Sequence, residues 1–82
     1  MQVQRIQFEI PINRLRELEI LMREGGIATK KELLNNALTL FEWAVNEVKQ
    51  GHTIASVDEA DKKYREITMP TFRNLRVRAS SA

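Results

Sequence analysis

The sequence predicts a small α+β domain, mostly helical, on three observations. Residues 5–10 alternate apolar and polar side chains as a half-buried strand does. Two segments after Pro11 repeat their apolar residues at helical spacing. Residues 53–69 then form two short β-prone runs around a polar turn.

In R-I-Q-F-E-I, Ile6, Phe8 and Ile10 share one face while Arg5, Gln7 and Glu9 share the other, which predicts a strand closed by Pro11. Asn13 is the expected cap of a first helix over residues 14–24, with Leu15, Leu18, Leu21 and Met22 at three- and four-residue spacing. Gly25-Gly26 supplies a left-handed helix end, and Thr29-Lys-Lys-Glu32 matches a capping box. The second helix carries Leu33, Leu34, Ala37, Leu38, Leu40, Phe41, Ala44, Val45 and Val48, too wide a set for one stripe, and stops near Gly51. It is therefore expected to pack on more than one surface. Thr53-Ile-Ala-Ser-Val57 and Lys63-Tyr-Arg-Glu-Ile-Thr-Met69 flank D-E-A-D-K and predict a β-hairpin ended by Pro70. The expected organisation is a core over residues 1–52, a hairpin extension over 53–70 and a basic, flexible tail over 71–82.

Composition narrows the function classes. A chain of 82 residues holds one domain, and one of this size is marginal without disulfides, metals or oligomerisation. With no cysteine and one histidine, disulfides, zinc clusters and thiol nucleophiles drop out, leaving oligomerisation as the support. The net charge is +2, but residues 1–52 balance at seven basic against seven acidic, and the excess lies in Arg73, Arg76 and Arg78. Bulk charge is thus a weak pointer to nucleic acid, since a short Arg-bearing end serves equally as a solubilising tail or a phosphate-binding arm. No apolar run approaches the ~20 residues that cross a bilayer, and the first residues lack a secretory pattern, so the expected compartment is the cytoplasm.

The first strand poses a physical problem. Alone it cannot satisfy its ladder hydrogen bonds or cover Ile6, Phe8 and Ile10. It pairs either with the hairpin of its own chain or with the same strand of a second chain about a two-fold axis. The second solution also accounts for the over-wide apolar surface of the second helix.

The succession R-I-Q-F-E-I-P, L-R-E-L-E-I-L-M-R-E-G-G-I and T-K-K-E-L-L-N-N-A-L, over residues 4–48, resembles the ribbon-helix-helix repressors of the CopG, Arc and MetJ type. The resemblance implies an intertwined homodimer whose paired strands form a two-stranded antiparallel ribbon in the DNA major groove. It places Arg5, Gln7 and Glu9 at the base-reading positions and Thr29, Lys30 and Lys31 at the helix N-terminus that holds a backbone phosphate. The chemistry suits the first two: a guanidinium matches guanine O6/N7, and a carboxamide matches adenine N6/N7. Glu9 departs from the pattern; a carboxylate near phosphates can only accept, as from cytosine N4, and its other role is to restrain Arg5 or Arg65. Arg73, Arg76 and Arg78 are candidate accessory phosphate contacts. The plainer reading of these side chains is a solvated strand face, a helix cap and solvated lysines.

The function implied is sequence-specific transcriptional regulation, as a repressor or autoregulator, in a prokaryotic cytoplasm, with double-stranded DNA and a second copy as partners, higher assembly on DNA left open, no membrane partner and no cofactor. The alternative is an antitoxin-like or adaptor protein that holds a protein partner through residues 53–82. An enzyme is not expected, because no pair of titratable groups marks a cleft. His52 reads as a capping or loop residue, Phe41 and Trp43 as core or dimer interface, and D-E-A-D as a polar turn.

Overall fold

The computed structural model describes residues 1–81, with side chains as far as Arg78. Three helices and two strands follow one another as α1 (Ile12–Glu24), α2 (Lys30–Lys49), β1 (Ala55–Asp58), β2 (Lys63–Glu66) and α3 (Pro70–Ser81). The fold is thus α+β and mostly helical. The chain divides into two units, Met1–Asn35 and Asn36–Ala82.

In the first unit, residues 1–11 belong to no helix or strand, so the strand expected over residues 5–10 is not formed. The reason is the one the sequence raises: a lone strand has nothing to take its ladder hydrogen bonds. Ile6 and Phe8 are 78 % and 70 % exposed. α1 begins at Ile12, earlier than expected, because the Pro11 carbonyl accepts the Leu15 N–H at 2.9 Å; Asn13 therefore sits inside the first turn and does not cap it. The helix ends at Gly26, whose φ of 67° lets Ile27 N–H reach Met22 C=O at 2.8 Å and Gly26 N–H reach Arg23 C=O at 3.3 Å. Leu15, Leu18 and Met22 of the expected apolar stripe are half-buried, and Leu21 is exposed. No described residue of this unit is buried.

In the second unit, α2 ends in the same kind of motif. Gly51, at φ 85°, donates its N–H to Val48 C=O at 3.0 Å, and His52 N–H reaches Glu47 C=O at 2.9 Å. The His52 ring also contacts the Glu47 carboxylate through Nδ1, so this histidine closes a helix end. β1 and β2 pair antiparallel with Ala55 opposite Glu66 and Asp58 opposite Lys63. The turn is held by Asp61 N–H donating to Asp58 Oδ1 at 3.2 Å, and Lys62 takes a left-handed φ of 53°. D-E-A-D is the polar turn the sequence indicates.

Residues 71–81 depart from expectation: the supposed loose, basic tail is α3, while residue 82 lies outside the described residues. Pro70 does end the hairpin segment, but at the first position of a helix its fixed φ and missing N–H cost nothing. Phe72 and Leu75, three residues apart, then supply an inward stripe. Phe72 is buried with Ala44 and Val48 of α2, and Val45, Ile54 and Leu75 pack around them. The Phe41 and Phe72 rings stack with centroids 6.5 Å apart and an interplanar angle of 18°.

Much of the rest of α2's apolar surface is open, although Leu33 is half-buried. Leu34, Leu38, Leu40, Phe41 and Trp43 are all exposed. At 100° per residue, Leu38 flanks one side of the Ala44–Val48 strip while Leu40 and Trp43 flank the other.

Candidate nucleic-acid interface

Two segments of the first unit carry the residues expected to meet DNA: residues 4–10 and the start of α2. Arg5, Gln7 and Glu9 are exposed. Among the described residues, Glu9 forms no ion pair with Arg5 or Arg65, so its restraining role has no contact behind it.

The start of α2 is built as the sequence indicates. Thr29 Oγ1 accepts the Glu32 N–H at 3.1 Å, and Glu32 Oε2 accepts the Ala28 N–H at 3.2 Å. The reciprocal box thus closes on the residue before the cap. The Leu33 N–H goes to the Thr29 C=O at 3.1 Å. Lys30 and Lys31 stand exposed in this first turn, where the helix dipole and the leading N–H groups favour an anion. Glu32 works against that by placing a carboxylate in the same turn.

The three tail arginines separate once α3 is formed. Arg76 turns back to Glu66, Nη2 to Oε1 at 3.2 Å, tying α3 to β2. That contact satisfies charge more than geometry, since this nitrogen is shielded from water without a well-aligned hydrogen bond. Arg78 is not free either, and Arg73 is exposed. Arg76 is therefore a structural residue before it is a phosphate contact. The helical spacing that puts Leu75 three residues and Arg76 four residues after Phe72 was the signal for this placement.

On the hairpin, Ser56, Asp58, Lys63 and Arg65 line an open recess on one face, and Val57 faces Tyr64 on the other. No helix among the described residues is long and apolar enough to cross a membrane. No family model matches the chain, and no curated protein or solved structure matches it.

Proposed function

We propose that this protein is a homodimeric, sequence-specific DNA-binding regulator of the ribbon-helix-helix kind, acting as a repressor or autoregulator. The observation that carries the reading is the state of residues 4–10. Residues 5–10 alternate strictly, their apolar members Ile6 and Phe8 are uncovered, and the unit that contains them buries no residue at all. Antiparallel pairing of this segment with its copy meets both deficits together: each strand supplies the other's ladder, and the two apolar faces sit over the helices of a shared core. Arg5, Gln7 and Glu9 then lie side by side on the outer face of a ribbon of the width a major groove admits. Thr29, Lys30 and Lys31 supply the phosphate clamp.

A second reading rests on the ordered hairpin and α3. An adaptor or antitoxin-like protein would present residues 53–81 to a protein partner, and exposed Val57, Tyr64 and Val77 offer apolar contact there. The two readings are compatible.

Fluorescence anisotropy against a duplex from the gene's upstream region, with excess random competitor at two salt concentrations, tests the DNA reading. Competitor-resistant, salt-dependent binding is expected. Arg5→Ala and Gln7→Ala should each relax base preference by about 1 to 3 kcal/mol. Lys30→Ala should weaken all duplexes alike and lower the salt slope by about one. An unchanged selected sequence for Arg5→Ala would refute base reading by this segment.

A further inference from the structure

The β1–β2 sheet has two strands, and among the described residues no third strand pairs with either edge. A two-stranded hairpin with four-residue strands is marginal in water, and an open edge is a template for another strand. The phase of the ladder shows what each edge offers. Ile67 donates its N–H to Ile54 C=O at 2.8 Å, which makes Ile54–Ile67, Ser56–Arg65 and Asp58–Lys63 the hydrogen-bonded pairs. The N–H and C=O of Ala55 and Val57 therefore point away from β2, along the open edge of β1. Val57 and Tyr64 face each other on one side of the sheet and are 67 % and 63 % exposed.

Charge selects the edge that can pair with a copy of itself. A two-fold axis joining two edges antiparallel stands perpendicular to the sheet, so each residue meets one from the same face. On β2 the four possible centres place Lys63 opposite Lys63, Lys63 opposite Arg65, Arg65 opposite Arg65, or Glu66 opposite Glu66, and like charges directly opposite are destabilising. On β1, an axis at Val57 places Val57 against Val57 and Ser56 against Asp58. One face then carries an apolar row of Tyr64, Val57, Val57 and Tyr64 across four strands. The other carries Lys63, Asp58, Ser56 and Arg65, with the carboxylate beside its own lysine and opposite a hydroxyl. No like charges meet. An axis one residue earlier, at Ser56, would set Asp58 against Ile54, which packs on the core.

We propose that β1 is a second self-association edge of this protein, pairing antiparallel with β1 of a second copy about Val57 to form a four-stranded sheet. The contact is separate from the N-terminal ribbon and does not depend on it. Val57 exchanges both backbone hydrogen bonds with its counterpart, and the paired Val57–Tyr64 faces cover one another's flanks.

The absence of cysteine makes the test direct. In full-length protein, Val57→Cys brings two thiols together at a hydrogen-bonded pair, where Cα atoms lie about 5.5 Å apart, inside the roughly 4.4–6.8 Å range of disulfides. Tyr64→Cys is the control, because its two copies are three strand spacings apart, about 14 Å. Mild oxidation should link V57C into covalent dimers and leave Y64C unlinked. Sedimentation of Val57→Lys, a change at an exposed position, should show the largest species falling to half its mass or less with the circular dichroism unchanged. No linkage by V57C, equal linkage by both cysteines, or an unaltered largest species in V57K would each overturn the proposal. Base reading by Arg5 is measured on DNA, so failure of either idea is recognised apart from the other.

Discussion

Phe72→Ala is the perturbation that reads most of this fold at once. Among the described residues three side chains are buried, and Phe72, 3 % exposed, is the aromatic one and the pin between α3 and α2. Truncating a buried Phe to Ala costs about 3 to 5 kcal/mol through lost transfer energy and the cavity left behind. The stack with Phe41 lies within the range worth about 0.5 to 1.5 kcal/mol. Two circumstances hold the total down. Phe41 is itself 39 % exposed, and the cluster has only Val45, Ile54 and Leu75 around it, so the site can collapse. The expected loss is therefore about 3 to 4 kcal/mol. A domain of 82 residues has on the order of 4 to 12 kcal/mol in total, and one with so few buried residues belongs at the low end. The substitution should thus remove most of the stability of the second unit. Trp43 is the single tryptophan and lies one residue from buried Ala44, so its fluorescence during urea unfolding is the assay, at one fixed protein concentration because self-association adds to apparent stability. At a slope of about 1 to 1.5 kcal/mol/M, the midpoint should fall by roughly 2 to 4 M. A fall worth less than about 1 kcal/mol, typical of a surface change, would refute the docking of α3 on α2 and return residues 71–81 to a loose end.

Two further outcomes follow from the local geometry. Thr29→Ala removes the hydroxyl that takes the Glu32 N–H and should cost about 1 kcal/mol in thermal unfolding. It should also fray the turn that carries Lys30 and Lys31, seen as faster amide exchange there. Lys62→Gly relieves a left-handed residue in the hairpin turn and should stabilise by about 0.5 to 1 kcal/mol, raising the melting temperature by a few degrees.

Much of this was legible in the sequence, for identifiable reasons. The capping box at Thr29–Glu32 and the glycines at 26 and 51 are local chemistry, and local chemistry is carried by three or four neighbouring residues. The hairpin was legible because two β-prone runs flank a turn rich in Asp. The start of α1 was displaced because Asn13 is a good cap by type, while Pro11 offers a carbonyl two residues earlier. The third helix was missed because its stripe is short and its arginines read as solvated. Only the distant packing of Phe72 on Ala44 and Val48 distinguishes it from a basic tail. The first strand is the opposite case. Its pattern is the clearest period-two run in the chain, and it remains unformed because what completes a strand is another strand.

The same reasoning joins the two edges into one argument about assembly. Residues 5–10 and β1 are both short and both alternate, and among the described residues neither that segment nor the outer edge of β1 is paired with a strand. A protein with one such edge forms a closed pair, since an isologous contact uses itself up. A protein with two, each about its own two-fold axis, forms either a closed set of four or an open row, depending on whether the two axes return the chain to its start. Under the proposed DNA-binding reading, the distinction is visible in the operator. A closed set of four fixes the distance between two ribbon sites, whereas a row adds sites one after another at a constant spacing of about one helical turn or a multiple of it. Val57→Lys separates the two contacts: it should leave binding at an isolated half-site pair intact and abolish cooperativity between adjacent ones. Retention of cooperativity would mean that neighbouring dimers communicate through the exposed Leu40–Trp43 flank of α2 or through the DNA itself.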